Sequence, residues 1–308
     1  IDGSAAGEAT FNAGVIGTSF NSIPFYTGDT GSIYTHNVSG TDDTAQYNTA
    51  YGLTALDAIT TGDGNTAVGN AAMGANNTGA YNAAFGVDSL RDNTSGDFNT
   101  ALGRAAMQSN TTADGNTAIG RNAMYSNTTG TRNLAIGALA YDASDTENDN
   151  IAIGYGAMSE DTAGGTRNIA VGNYVLDALT SGDDNIAIGY GAGSAITTGG
   201  SNTLVGRDAG KTATTVSGNT AVGDSALKIN VAEYNTAVGA FALDSNTTGT
   251  TNTAVGYGAL DANSTAEYNT GIGAYALVAA TTGSYNTALG RSAGLAITTG
   301  TRNVAVGV

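Results

Sequence analysis

Asn65-Thr66-Ala67-Val68-Gly69 returns, with small changes, sixteen times between Asn48 and Gly307. Thirteen of the fifteen steps between successive Asn residues are 17 residues long. One step is 18, from Asn150 to Asn168, and one is 16, from Asn219 to Asn235. These place an insertion near Ala163-Gly164-Gly165 and a deletion near Val231-Ala232. A fixed period of this length is the mark of a repeat architecture, in which each unit buries its faces only against its neighbours.

With the Asn as position 1 of each repeat, the Gly at position 5 is present in all sixteen, and Ala occupies position 3 in all but two, Leu204 and Gly271. Position 4 is always apolar: Val or Ile for the most part, with Leu102, Leu289, Tyr51 and Phe85 as variants. Position 9 forms a second apolar column of Leu56, Leu90, Leu176, Leu227, Leu243, Leu260 and Leu277 with all four Met residues. Short β-branched runs between Asn and Gly, followed by turn clusters such as Asn127-Thr128-Thr129-Gly130, predict strand, corner, second strand and turn. A helix would carry a Gly penalty of about 1 kcal/mol in every repeat. The expected fold is therefore all-β: a parallel β-solenoid of about sixteen 17-residue coils, a rod roughly 70 Å long at one strand spacing per coil.

Stacked coils give each letter a task. Asn side chains stack as an amide ladder that satisfies corner backbone groups, and Gly permits positive φ at the turn. Positions 2 and 4 share a strand face. Their apolar pairs, Ile151 with Ile153, Ile169 with Val171 and Ile186 with Ile188, mark that face as the coil interior. On this reading Ala67 and its equivalents point outward as a flat surface suited to packing against another backbone; the alternative is a strand facing water, where Thr, Lys or Glu is expected.

Residues 1–47 lie outside the repeat and hold Phe11, Phe20, Phe25, the lone Pro24 and the only histidine, His36. They read as an N-terminal cap or joint with strands over Ala9–Ile16 and Ser32–His36, preceding a repeat body at 48–308. The chain begins at Ile1 without Met and ends one residue past the last motif, which reads as a piece of a longer polypeptide. A formal charge of −16, from 26 acidic and 10 basic residues, opposes binding to nucleic acid or an anionic membrane. There is no cysteine for a disulfide or thiolate site, and no apolar run long enough to span a bilayer.

For catalysis the sequence provides little. His36 reads as an ordinary strand residue. Asp63, Asp114, Asp183 and Asp184 sit in turns before the Asn column, where Asx-turn chemistry is expected and a Ca2+ site is the alternative. No cofactor and no enzymatic activity are expected. The sequons at Asn110, Asn127 and Asn246 follow from the Asn-Thr-Thr-Gly turn consensus and are discounted. More informative is position 17, where Tyr47, Tyr81, Phe98, Tyr234, Tyr268 and Tyr285 alternate with Arg132, Arg167 and Arg302. Position 6 adds Tyr155, Tyr190, Tyr257, Arg104, Arg121, Arg207 and Arg291. Tyr and Arg favour recognition surfaces, and aromatic faces suit sugars. Shielding of coil edges and packing across subunits are the competing roles.

The pattern Asn-Thr-Ala-Val-Gly-x-x-Ala-Leu-x-x-Asn-Thr-Thr-Gly-x-x, as in Asn235 to Thr251, resembles the repeat of phage tail-fibre proteins, with similar arrays in bacterial surface proteins. Gly7-Glu8-Ala9-Thr10-Phe11-Asn12 resembles a stretch common in such fibres. Asn-x-Ala-Ile/Val-Gly is also similar to the shorter head repeat of trimeric autotransporter adhesins, which form trimers of left-handed parallel β-rolls. The resemblance implies a homotrimeric fibre shaft or head on a virion or cell surface, presenting a surface to a polysaccharide or receptor. An ice-binding solenoid is the alternative: Thr66, Thr100, Thr117, Thr220, Thr236 and Thr253 recur at position 2, but Ile interrupts them in the central repeats. A polysaccharide lyase or hydrolase on a β-helix needs aligned carboxylates or basic residues, and none align.

Overall fold

In a computed structural model, residues 44–160 and 165–308 are described together with short strands at 19–20, 23–24 and 33–34. The strand expected over Ala9–Ile16, His36 and the inserted residues at 163–164 lie outside them. Seventeen parallel strands form one sheet. Its first strand is Ile33–Tyr34, followed by sixteen three-residue strands from Thr49–Tyr51 to Val304–Val306, one per repeat. Each pairs with the next in unbroken register, for example Thr49 with Thr66, Ala50 with Ala67 and Tyr51 with Val68. The parallel β-solenoid anticipated from the period is the observed fold, and no helix occurs among the described residues.

The two faces of the strand are the reverse of the expectation. The middle residue is buried in every strand from Thr49–Tyr51 to Thr287–Leu289, while positions 2 and 4 stay partly or fully exposed. Ala67 and its equivalents thus line the coil interior; Ile151 with Ile153, Ile169 with Val171 and Ile186 with Ile188 face out. The reason is the width of the coil. Position 3 meets the Leu or Met of position 9 across it, with no room for two large side chains. Where Leu204 replaces the Ala, position 9 of the same coil is Gly210, whose missing Cβ would lie 2.8 Å from Leu204 Cδ2. Gly193, one coil earlier, leaves a similar gap at 2.9 Å from Leu204 Cδ1. Volume removed from one wall is returned on the other. The position 9 column, including Met73, Met107, Met124 and Met158, is buried as expected.

Two asparagine ladders run through the polar interior, and where the second stops, at Asn127 and Asn263, a buried Oδ1 has no partner. At position 1, each backbone N–H donates to the side-chain oxygen of the preceding Asn, as from Asn65 to Asn48 Oδ1 at 2.8 Å. The same Asn65 donates its Nδ2 to the Gly79 carbonyl at 2.8 Å. A second ladder, not anticipated, runs at position 12: Asn93 Nδ2 donates to Asn76 Oδ1 at 2.8 Å and Asn110 Nδ2 to Asn93 Oδ1 at 2.7 Å. Both period errors are absorbed without breaking the first ladder. Asn168 N–H reaches Asn150 Oδ1 at 2.9 Å across the 18-residue step, and Asn235 N–H reaches Asn219 Oδ1 at 2.9 Å across the 16-residue step. The deletion is taken up between Asn230 and Ala232, where the amide spans two residues instead of three.

Corners impose left-handed backbone at four places per coil. Gly69 has φ +139, as expected for the Gly column, and a Cβ there would run into the Gly86 carbonyl. The other three are mostly not glycine: Ala71 at φ 55, Met73 at φ 50 and Tyr81 at φ 57. Each such residue costs about 1–2 kcal/mol in isolation. All three are locked by donating to the neighbouring coil, from Ala71 to Leu53, Met73 to Ser89 and Tyr81 to Asp63, at 2.8–2.9 Å.

The first ladder carries a testable consequence. Asn185→Ala removes the acceptor of the Asn202 N–H, which lies 3.1 Å from Asn185 Oδ1 in a buried setting. An orphaned buried donor costs about 1–3 kcal/mol. Chemical denaturation should show at least a loss of that size, and Asn185→Asp should not rescue it, because a buried carboxylate would face the Gly199 carbonyl and Asn168 Oδ1 to which Asn185 Nδ2 donates at 2.9 and 3.1 Å.

Candidate surface sites on the rod

Four columns of side chains decorate the outside: the strand face at positions 2 and 4, the edge at positions 6 and 7, the turn at positions 13 and 14, and the corner at position 17. Along the strand face runs an uncharged ribbon, apolar or aromatic throughout position 4 and Thr in ten of the sixteen coils at position 2. None of the outward positions of the sixteen strands carries a charge, although the chain has 10 basic and 26 acidic residues. Its occupants are Thr, Val, Ile and Leu with Ala83, Val304, Tyr51 and Phe85. Ile188 remains 40% exposed and Leu102 48% exposed despite their size.

At position 17 the ladder anticipated from Tyr and Arg is present, but its members engage one another. Tyr81 stacks on Phe98 with ring centroids 5.3 Å apart, and Tyr268 on Tyr285 at 5.0 Å. The Arg302 guanidinium lies 5.3 Å from the Tyr285 centroid. Tyr234 lies over Gly218, whose missing side chain makes room for the ring. In the middle of the rod the aromatic stack gives way to ion pairs: Arg132 grips both oxygens of Asp149 at 2.6 and 2.8 Å, and Arg167 grips Asp184 at 2.6 and 2.9 Å. The Arg guanidinium in each case holds the partner carboxyl below its usual range.

At position 6, Arg207 is likewise paired with Asp224 at 2.8 Å, whereas Arg104, Arg121 and Arg291 are exposed and make no ion pair with any described residue. Tyr155, Tyr190 and Tyr257 are exposed on the same edge, where each meets aromatic neighbours at position 7 that the sequence reading did not single out: Tyr174, Phe241 and Tyr275. The available signal was alternation, because each of these Tyr residues is followed by Gly at position 7 and stacked against a coil that is aromatic there.

The turn carboxylates serve the backbone in a different way from an Asx turn. Asp63 Oδ1 accepts the Gln46 N–H, Asp114 Oδ1 the Asp97 N–H and Asp183 Oδ1 the Thr166 N–H, all at 2.7 Å and all from the preceding coil. Asp184 is held by Arg167. Among the described residues no group of three carboxylate or imidazole side chains converges in a metal-binding arrangement. Asn110, Asn127 and Asn246 are buried in the position 12 ladder, so their sequons present no amide to a glycosylating enzyme in the folded chain.

Position 10 holds a different set of acids. Burial raises the carboxyls of Asp142, Asp177, Asp244 and Asp261, and Asp244 adds to the effect on Asp261 from one coil below. A raised folded-state pKa means that the stability contributed is present below the unfolded carboxylate pKa and lost as pH rises through the folded one. Asp149, Asp184 and Asp224 work in the opposite sense: their stability is present above the unfolded value and lost as pH falls through the folded one. The double variant Asp244→Asn/Asp261→Asn should therefore melt above wild type at pH 7. The gain should vanish near about pH 3.5, below the ordinary carboxylate pKa.

No family model matches this chain, and no curated protein matches it in sequence.

Proposed function

We propose that the chain is a rigid segment of a fibre on a virion tail or cell surface, structural and non-enzymatic, working as a homotrimer that spaces and presents an attachment surface. The observation that carries this reading is the uncharged strand face, whose position 4 column is apolar or aromatic from end to end. It runs about 70 Å at one strand spacing per coil and two columns wide, roughly 700 Å2 of contiguous surface. A standard protein interface takes about 800 Å2 from each partner, close to the area of this face. Three ribbons facing a common axis bury this surface and leave the charged columns in water, where the net charge of −16 keeps assembled rods apart. The resemblance to tail-fibre and trimeric adhesin repeats supports the same reading. Small-angle scattering tests it: a particle near 70 Å long with a cross-section of several coils is expected, and the cross-section of one coil speaks against it.

An ice-binding rod is a second reading, favoured by a column other than the one at position 2. Thr111-Thr112, Thr128-Thr129, Thr197-Thr198, Thr214-Thr215, Thr247-Thr248 and Thr281-Thr282 place paired hydroxyls at positions 13 and 14 along the turn side. The position 13 hydroxyl is fixed by donating to the next coil, as from Thr111 Oγ1 to the Thr128 carbonyl at 3.0 Å. Asn77, Asp145 and Val231 interrupt the column. Thermal hysteresis in micromolar protein would favour this reading, and its absence would leave the column as turn structure.

A further inference from the structure

Positions 6 and 7 carry two aromatic trios on one edge of the rod. Tyr155, Tyr174 and Tyr190 occupy three successive coils, with ring centroids 5.5 and 5.9 Å apart and interplanar angles of 74° and 81°. Phe241, Tyr257 and Tyr275 repeat the arrangement at 5.7 and 5.3 Å, with angles of 77° and 76°. Rings alternate between the two positions. Where position 6 is Tyr, position 7 is Gly156, Gly191 or Gly258. A Cβ on Gly156 would meet the Tyr174 ring at 3.5 Å, and one on Gly258 would crowd the Tyr275 ring at 3.1 Å. Gly258 thus clears the ground for the Tyr275 ring, while at Gly156 a methyl group would only touch the ring of Tyr174.

Packing of the corner does not require these rings. Tyr174, Phe241 and Tyr275 adopt φ 56 to 59, a conformation that is costly for a bulky residue and that glycine supplies freely in neighbouring coils. Nor does the arrangement cover them: Tyr155, Tyr174 and Tyr190 stay 42, 41 and 55% exposed. Edge-to-face contact leaves part of each ring face open and sets phenol hydroxyls beside it, the combination that engages the C–H faces and hydroxyls of a pyranose ring. No position 6 or 7 side chain in these six coils is charged, and the molecule as a whole repels polyanions. A neutral chain is the matching partner.

We propose that the two trios are stacking subsites for a neutral pyranose polysaccharide lying along the rod. Between them the edge carries the Arg207–Asp224 ion pair and Asp208, which is paired with Lys211 at 3.0 Å, so these charges are already compensated. This inference rests on the reading of the rod as a bearer of an attachment surface, and it names the residues and the chemical class.

The chain contains 15 Tyr and no Trp, so tyrosine fluorescence reads the site directly. Wild type and the double variant Tyr190→Ala/Tyr257→Ala are titrated with neutral hexasaccharides of β-1,4-glucan, β-1,3-glucan, α-1,4-glucan and mannan, with hyaluronan as the polyanionic control. At least one neutral sugar should give a saturable change, hyaluronan none, and the double variant should bind at least about tenfold more weakly, as expected for two lost stacking contacts. Its melting midpoint and native mass should match wild type. No response to any neutral sugar at about 10 mM, well past the weakest specific binding, overturns the proposal. So does equal binding by the double variant, or a fall in its native mass, which would put the rings between chains. A monomeric wild type that still binds sugar through Tyr190 and Tyr257 would instead fail the homotrimer and leave the subsites standing.

Discussion

Replacing Ala170 by glutamate is expected to stop its coil from closing. Ala170 is buried, paired in register with Ala152 and Ala187, and faces an interior in which position 9 is Leu176. A carboxylate there has neither volume nor a partner. Burying an unpaired charge costs several kcal/mol, and the overpacking adds about 1–3 kcal/mol. Because a solenoid is held by nearest-neighbour contacts, the loss should be felt first in the coils from Asn150 to Asn202 and should divide the rod. Circular dichroism should show a lower and broader melt, and limited proteolysis should cut near the altered coil. Ala170→Gly, which adds neither volume nor charge and matches Gly271 in the same column, should cost only about 0.5–1 kcal/mol. Were the Ala column an outward packing surface, Ala170→Glu would change assembly and leave the coil intact.

The second large effect belongs to the opposite face. Ile153→Glu, Val171→Glu and Ile188→Glu together place three carboxylates on successive coils of the ribbon, where the side chains already touch solvent. The isolated rod should stay folded, since nothing in its interior changes, at the cost of modest repulsion between carboxylates on register-paired strands. An assembly built on the ribbon should not: desolvating three like charges against their symmetry mates costs several kcal/mol. Each 1.4 kcal/mol is tenfold, so association should weaken by about a thousandfold or more. Sedimentation should then find a smaller particle with an unaltered far-ultraviolet spectrum. Retention of the native mass would mean that the ribbon faces water.

The two variants separate what was legible in the sequence from what was not. The period, the strand at Thr66–Val68, the ladder at Asn65 and the positive φ at Gly69 all follow from the residues alone, because stacking forces every coil to repeat one solution. Which face of Thr66-Ala67-Val68 points inward does not. Alternation separates two faces without naming them, and the habit of placing the larger apolar residues inside fails when the coil is only one Ala and one Met wide. The compensating swap of Leu204 against Gly210 and Gly193 was the readable clue, since only facing residues trade volume. The position 12 ladder was hidden because Ile59, Leu179, Ile196 and Ala213 share its column with Asn, so that it looks variable in one dimension. The candidate Tyr and Arg residues are exposed. Their mutual pairing, as in Arg132 with Asp149 and Tyr268 with Tyr285, depends on side-chain reach across one coil spacing and cannot be read from a column of letters.

The turn acids give the same lesson in electrostatics. Asp63 and Asp183 resemble Asx-turn residues by sequence, yet their oxygens serve the coil before. A one-coil offset turns a local motif into a rung between coils.

The most direct measurement is the native mass of the wild-type chain, by light scattering coupled to size exclusion over a micromolar concentration range. Association through the ribbon into a homotrimer gives a particle near three times 30.3 kDa that does not dissociate on dilution. A single monodisperse species at 30.3 kDa would contradict it and leave the ribbon as an exposed, uncharged face of a solitary rod.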